Sequence, residues 1–198
     1  MAIRPDMSDK VIHFTKGDTY ENALGVLLTI IGGGSIVGGN GMIRGGYRCI
    51  CFTEAPLPAV STDLVKGGSF TRYAPFGLMF EKQWVYGQGA RPIIYQSDTE
   101  FNQLSEEMRW RHVRYEPAGI PPIDFTWERE WRLHQDELLF SPSDAVLVVP
   151  SREWEEFVFG IWNSQQQLEG EAYSSILDQA IVEQMQGPCP WRIVSLSI

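Results

Sequence analysis

Short β-prone segments, each bounded by glycine, proline or polar residues, recur along the whole of this sequence. The clearest are Val11-Ile-His-Phe-Thr, Tyr47-Arg-Cys-Ile-Cys-Phe-Thr-Glu and Ala145-Val-Leu-Val-Val. Segments of this length and composition are typical of strands. A few amphipathic helices lie between them without a regular alternation of strand and helix. The pattern therefore predicts an α+β fold rather than a doubly wound parallel sheet.

Two helices are well defined in the sequence. The first begins at Asp18 or Thr19, with Thr19 as its N-cap, and ends at Gly32-Gly-Gly. The second begins after Ser151, and its apolar residues at positions i, i+3, i+4 and i+7 predict that it packs on the core. Those four residues are Trp154, Phe157, Val158 and Ile161. We also predict helices over Glu100–Trp110 and Ser174–Met185, a strand from Trp191, and a loop from Gly32 to Gly46.

The length of 198 residues suits one domain. We expect a single domain over 1–198, with a core at about 11–150 and a C-terminal extension of helices and a closing strand at 151–198. No run of eighteen apolar residues occurs and the start lacks the apolar segment of a signal peptide, so we expect no membrane partner and a cytoplasmic location. The three cysteines form no disulfide framework and are interpreted as structural thiols.

The charge balance is acidic, with 25 acidic against 16 basic residues and a net charge of −9. Such a chain does not attract nucleic acid through its overall field, although a cleft can still be locally basic. The sequence contains no P-loop, no Gly-x-Ser-x-Gly and no His-Glu-x-x-His, and His112 and His134 do not form a metal-ligand pattern. We therefore expect no metal site.

His13 lies at the centre of the first strand. Because side chains alternate along a strand, His13 and Thr15 face one side of the sheet while Ile12 and Phe14 face the other. A hydroxyl and an imidazole on a common face can bind a ribose. A histidine satisfied by its neighbours near a sheet edge is the alternative interpretation.

A second group of polar residues is Glu128-Arg-Glu-Trp-Arg-Leu. On a strand, Glu128, Glu130 and Arg132 share one face, which can be a solvated row of compensating charges or the wall of an active site. A carboxylate is the right group to stabilise an oxocarbenium-like sugar.

These residues resemble the DarT-type ADP-ribosyltransferases, which begin with a strand bearing His-x-Thr and a helix bearing Asn-Leu. The corresponding segments are Val11-Ile-His-Phe-Thr and Glu21-Asn-Ala-Leu. Tyr73-Ala-Pro-Phe-Gly-Leu-Met-Phe, Arg91-Pro-Ile-Ile-Tyr and Glu130-Trp-Arg-Leu follow in the family's order over about residues 11–150. The same order, with Cys-Phe-Thr-Glu and Glu-x-Glu-Trp-Arg, also resembles proteins related to bacterial abortive-infection systems.

The resemblance implies a split, mostly antiparallel sheet with flanking helices, and NAD bound as a substrate in the cleft between its halves. It places the first strand and the strand of Glu130 on opposite lips of that cleft, within reach of one nucleotide. It implies that Glu130 is the catalytic glutamate, which orients the ribose and stabilises positive charge as nicotinamide leaves, and that an arginine holds the pyrophosphate, with Arg44, Arg48 and Arg72 as the alternatives. The cofactor-binding residues it implies are His13, the Phe14 backbone, Thr15, Asn22, and an aromatic stacking on the nicotinamide, either Tyr47 or Phe52.

Three functions follow. The first is an NAD-dependent ADP-ribosyltransferase, a toxin or phage-defence effector that modifies a nucleic acid or a protein and has an antitoxin or defence-system partner. The second is a non-catalytic protein of the same fold that acts in binding or immunity. The third is a hydrolase with Glu128 and Glu130 as an acid–base pair, for which the spacing of about 7 Å suits an inverting geometry only loosely.

Overall fold

A computed structural model describes residues 7–57 and 73–197. It has an α+β architecture in which helices flank a mostly antiparallel mixed sheet, as the sequence predicts. The strands are β1 (Lys10–Phe14), β2 (Ser35–Val37), β3 (Ile50–Thr53), β4 (Gly77–Glu81), β5 (Arg91–Pro92), β6 (Ile94–Gln96), β7 (His112–Arg114), β8 (Glu130–Leu133), β9 (Glu137–Leu139), β10 (Ala145–Val149) and β11 (Arg192–Ser195). The helices are α1 (Tyr20–Gly33), α2 (Lys82–Gly87), α3 (Arg152–Ser174) and α4 (Gln179–Met185), with 3₁₀ helices at Asp98–Gln103, Glu106–Arg111 and Thr126–Glu128.

The main sheet has seven strands in the order β11-β10-β4-β1-β3-β8-β5. Every neighbouring pair in it is antiparallel except β10 and β11, which are parallel. β2 pairs with β9, and β6 with β7, outside this sheet. β1 therefore lies in the middle, with the strand of Glu130 two places away.

Alternating side chains of the main sheet build two apolar clusters. The larger one includes Val11, Leu78 and Leu147, and it is covered by α1 and α3. The smaller one lies on the opposite face and consists of Ile12, Phe14, Ala55, Val148 and Leu196. Apolar residues therefore cover both faces of the sheet around β1. Because side chains alternate along the strand, Val11 faces the larger cluster while Ile12 and Phe14 face the smaller one.

The N-terminus of α1 forms as the sequence predicts. The Thr19 hydroxyl accepts a hydrogen bond from the Asn22 amide at 3.2 Å, and Gly34 ends the helix in the left-handed conformation (φ 62°). The Thr15 hydroxyl donates toward the Ala23 carbonyl, 3.1 Å away, so the end of β1 is joined to the first turn of α1.

The C-terminal helix α3 packs on the core, as its apolar spacing predicts. The Trp154 ring contacts the rings of Tyr20 and Phe76 at 5.9 and 5.2 Å, and Val158 is buried in the larger cluster. Ile161 packs beside them, whereas Phe157 remains exposed. Within the described residues, no helix is long and apolar enough to cross a membrane.

Three predicted elements differ from the structure. The stretch predicted as a loop contains β2, because Ile36 is buried by pairing opposite Leu138 of β9. The segment predicted as one helix over Glu100–Trp110 forms two 3₁₀ helices, whose N-cap residues are Ser97 and Ser105. The helix predicted over Ser174–Met185 starts only at Gln179, where Asp178 is the N-cap.

Gly77 allows β4 to approach β1 closely. A Cβ at this position would lie 2.5 Å from the His13 carbonyl oxygen and 3.2 Å from the Phe14 Cα. We expect Gly77→Ala to lower the free energy of unfolding by about 1–3 kcal/mol, because main-chain atoms cannot swing aside. Urea denaturation measures the effect. Gly160→Ala in α3, where an added Cβ meets no atom within 4 Å, is the control and should be neutral or stabilising; equal stability of the two variants would contradict this explanation.

Candidate functional site

The strand of Glu130 starts later than its sequence pattern predicts. Thr126–Glu128 is a 3₁₀ turn, and Arg129 follows it in the left-handed conformation (φ 45°). Glu128 is therefore not on the strand. It is buried, with 3% of its surface exposed, and accepts a hydrogen bond from the Tyr73 hydroxyl at 2.8 Å. This corrects the prediction of a row of two carboxylates on one strand face, on which the acid–base hydrolase interpretation depended.

Glu130 forms a two-point ion pair with Arg132. Arg132 Nε lies 2.8 Å from Glu130 Oε1, and Nη2 lies 3.3 Å from Oε2. Arg132 Nη1 donates to the carbonyls of Trp110 and His112, each at 3.0 Å. Since Arg132 is only 4% exposed and held at four points, the Glu130 carboxylate is fixed in direction.

The charge state of this pair follows from its surroundings. Burial opposes the charge of Arg132, but the Glu130 carboxylate outweighs it and raises the pKa of Arg132 above its usual value. The Glu130 side chain keeps 13% of its surface exposed, so it is not sealed from a ligand. The site therefore contains the oriented, partly exposed carboxylate of Glu130, paired with the buried and charged guanidinium of Arg132.

Neutral groups complete the surroundings of Glu130. Burial, followed by the charge of Glu130, raises the pKa of the Cys51 thiol far above its usual range. Burial likewise raises the pKa of Tyr95 to about 12, reinforced by the nearby carboxylates of Glu130, Glu128 and Asp124. Both groups are uncharged at neutral pH, so they add hydrogen-bonding capacity without charge.

His13 lies against the neighbouring strand. Its Nδ1 is 2.8 Å from the Cys51 carbonyl oxygen, which can only accept, so Nδ1 holds the proton. Burial, offset in part by this carbonyl and reinforced by the charge of Lys16, lowers the pKa of His13. The imidazole is therefore neutral at pH 7, and no described residue donates a hydrogen bond to its Nε2.

Pairing between β1 and β3 is short at this position. β1 pairs with β4 at five positions but with β3 at one, Ile12 opposite Thr53. Thr15 N donates to the Phe76 carbonyl on the β4 side, and main-chain groups alternate in direction along a strand, so those of Phe14 point toward β3. The next ladder position would place Phe14 opposite Cys51, where the ladder has already ended. The Phe14 main chain thus faces the junction at which β1 and β3 separate.

The side chains of His13 and Glu130, the two residues predicted to be central to the site, lie on opposite faces of the sheet. Ile12, Thr53 and Glu130 are consecutive register partners, so Glu130 shares the face of Ile12, while His13 shares that of Phe52. The prediction of opposite lips of one cleft is wrong for these two strands, because both belong to one sheet with β3 between them. Two strand spacings put the main chains about 10 Å apart. Cys51 lies between them: its carbonyl accepts the hydrogen bond of His13, and its side chain is on the same face of the sheet as Arg132 and Glu130.

The other predicted cofactor residues are distributed more widely. Thr15 is 2% exposed with its hydroxyl directed at main-chain carbonyls, and Phe52 is 2% exposed in the larger cluster. Both side chains are therefore packed in the core, where Thr15 is joined to main-chain carbonyls and Phe52 to apolar neighbours. Asn22 is exposed at the start of α1, and the Tyr47 ring packs edge-on against His134 at 5.4 Å.

The candidate arginines also occupy separate places. Arg44 pairs with Asp98 and lies over the Phe101 ring at 4.2 Å, while Arg48 lies 3.7 Å from the Asp136 carboxylate. Both are at the surface, away from the contacts of Glu130. Arg72 lies outside the described residues.

Sequence reasoning missed Cys51, Tyr95 and Tyr73 as neighbours of the two glutamates. The Cys-x-Cys spacing predicts that both thiols share one strand face; in the structure Cys51 is on the face of its register partner Arg132, while Cys49 lies just before β3. Only the register between β3 and β8 shows that the Cys51 side chain and the Glu130 side chain lie on the same face, and the sequence does not reveal that register. Nothing in the sequence marks Tyr95.

No family model matches the chain, and neither the curated proteins nor the solved structures include one that matches it significantly. Among the described residues, no group of three histidine, cysteine or acidic side chains is placed to hold a metal ion.

Proposed function

We propose that this protein is an NAD-dependent ADP-ribosyltransferase of the DarT-like type that modifies a macromolecular acceptor, a nucleic acid or a protein. The observation that supports it most is the Glu130 carboxylate, oriented by buried Arg132 and partly open, beside the place where β1 and β3 separate. The resemblance to ADP-ribosyltransferases implies a catalytic glutamate and NAD bound in a cleft of the sheet, and the short pairing of β1 with β3 is where the proposal places the nicotinamide end.

The reaction breaks the bond between the nicotinamide nitrogen and C1′ of the ribose. The bonding electrons leave with nicotinamide, which becomes neutral, and positive charge develops on the ribose as an oxocarbenium-like centre. A hydroxyl, amine or other nucleophile of the acceptor then bonds to C1′ and loses its proton. Glu130 lowers the barrier by accepting a hydrogen bond from the ribose and by placing negative charge near the developing cation.

Binding of the nicotinamide end is assigned to β1. The Phe14 amide and carbonyl face the β1–β3 junction, where they match the acceptor and donor of a carboxamide. The Phe14 and Tyr73 rings, 5.9 Å apart, provide apolar surface on the Glu130 face. Neutral His13 borders the same junction from the face opposite Glu130, and the proposal uses its Nε2 as an acceptor for a ribose hydroxyl of NAD. The resemblance leaves Arg44, Arg48 and Arg72 as alternatives for the pyrophosphate, and of these Arg44 and Arg48 lie away from the contacts of Glu130.

In this proposal the protein acts in the cytoplasm as a toxin or phage-defence effector, under the control of an antitoxin or a defence-system partner. Because the net charge of −9 does not attract a nucleic acid through the overall electrostatic field, an acceptor of that class would be recognised by groups at the site itself.

A second candidate is a non-catalytic binding or immunity protein of the same fold. The complete Glu130–Arg132 pair supports it, because a two-point buried ion pair also serves as a structural link. The two candidates differ in turnover: a binding protein holds NAD or a partner without releasing nicotinamide.

Replacement of His13 tests the binding step. We expect His13→Ala to weaken NAD binding about tenfold, because both the ribose contact and the bond to the Cys51 carbonyl are lost. Isothermal titration of the parent and the variant with NAD measures this. His134→Ala, an exposed histidine with ring contacts to Tyr47 and Trp110, is the control and should bind like the parent. A parent that does not bind NAD, or an unchanged affinity in His13→Ala, would contradict the assignment.

A further inference from the structure

Two arginines at one edge of the main sheet lie side by side and are held by main-chain carbonyls. Arg91 Nη1 donates to the carbonyls of Tyr86 and Ala90 at 2.9 and 2.7 Å, and its guanidinium lies 3.8 Å from the centre of the Tyr86 ring. Arg111 Nε donates to the carbonyl of Pro92 at 2.9 Å, next to Arg91. These contacts orient both guanidinium groups. Among the described residues, no partner is found for Nε and Nη2 of Arg91 or for the two Nη atoms of Arg111.

Neither arginine has a carboxylate partner among the described residues. Five other arginines form ion pairs, namely Arg44, Arg48, Arg114, Arg132 and Arg152, whereas Arg109 and Arg192 have no ion pair among the described residues either. The bond of Arg111 to the carbonyl of Pro92 places it beside Arg91, and burial and then the charge of Arg91 lower the pKa of Arg111. In a chain with nine more acidic than basic residues, an uncompensated pair of cations is unexpected unless an anion joins it.

The pair borders the candidate site. Arg91 is the register partner of Arg132, so β5 places Arg91 next to the strand of Glu130. Arg111 follows Trp110, whose carbonyl accepts a hydrogen bond from Arg132. An anion held by Arg91 and Arg111 would therefore lie beside the Glu130–Arg132 pair.

We propose that Arg91 and Arg111 form an anion site that takes a phosphate group. Guanidinium forks with free N–H groups match the oxygens of a phosphate, and a dianion or phosphodiester would remove the repulsion between the two cations. The phosphate has two possible sources with the same chemistry, the pyrophosphate of a dinucleotide such as NAD and the backbone of a nucleic-acid strand. The proposal does not depend on transfer activity, because it concerns binding alone.

Binding measurements on charge-removing variants test it. The probes are NAD, followed by titration calorimetry, and a fluorescein-labelled single-stranded oligonucleotide, followed by anisotropy at low and moderate salt. We expect Arg91→Gln and Arg111→Gln each to weaken at least one probe by about tenfold. If the oligonucleotide is that probe, the slope of the logarithm of its affinity against the logarithm of the salt concentration should fall in magnitude by about one for each variant. Arg192→Gln removes the same charge from β11, the opposite edge of the sheet, and should change neither affinity.

The two arms identify the source of the phosphate. A loss confined to NAD assigns the site to the dinucleotide, and a loss confined to the oligonucleotide assigns it to a nucleic-acid strand. Thermal unfolding of each variant shows whether the fold is retained, and Arg111→Lys, which keeps the charge, should recover part of the affinity. The proposal is overturned if the parent binds neither probe, or if folded Arg91→Gln and Arg111→Gln bind both like the parent.

Discussion

Glu130→Gln is expected to reduce nicotinamide release from NAD by on the order of a hundred-fold or more, with little change in NAD affinity. Glutamine keeps the shape and can still accept hydrogen bonds, but it lacks the charge that stabilises the ribose only in the transition state. Nicotinamide release measured at saturating NAD separates this loss of turnover from a loss of binding.

The ion pair makes a stability control necessary. Glu130→Gln leaves buried Arg132 without its counter-charge, so some loss of folding stability is expected besides the catalytic effect. The double variant with Arg132→Gln removes both charges and should regain part of the stability while remaining inactive. Parental turnover in a folded Glu130→Gln protein would show that the carboxylate is structural and would favour the binding-protein alternative.

Arg132→Met is expected to lower the free energy of unfolding by about 3–5 kcal/mol, the usual scale when one member of a buried ion pair is removed. The change leaves Glu130 unpaired and deprives the carbonyls of Trp110 and His112 of their donor. Urea denaturation followed by tryptophan fluorescence measures it. Arg152→Met, which breaks an exposed pair with Glu156 on α3, is the matched control and should have no measurable effect.

An alternative result for Arg132→Met is informative. A methionine of similar length can fill the space of Arg132. If the variant is nevertheless as stable as the parent, the ion pair with Arg132 contributes no net stability and does not hold Glu130 in place. The argument that Arg132 orients the carboxylate would then be wrong, even if Glu130 itself remained essential.

Local signals in the sequence predicted the elements whose causes are local. Thr19 caps α1 because its hydroxyl and the Asn22 amide are three residues apart, and the spacing of Trp154 and Val158 defines the packed side of α3. Alternation also placed His13 and Thr15 on one face of β1. Each of these predictions needs only the geometry of one helix or one strand.

The site depends on contacts that no local pattern encodes. The left-handed conformation of Arg129 moves Glu128 out of the strand, and an arginine in that conformation is not predictable from its neighbours in the sequence. The opposite facing of His13 and Glu130 depends on the register of β1, β3 and β8, which pairs residues about 40 to 80 positions apart.

Label transfer from NAD tests the central claim most directly. The purified protein is incubated with NAD labelled in its adenylate phosphate and with cell extract, and the macromolecular fraction is then digested with nuclease or protease in parallel. We predict that label enters this fraction with release of nicotinamide, that one of the two digestions removes it, and that Glu130→Gln abolishes it. A folded parent protein that neither labels any macromolecule nor releases nicotinamide would contradict ADP-ribosyl transfer.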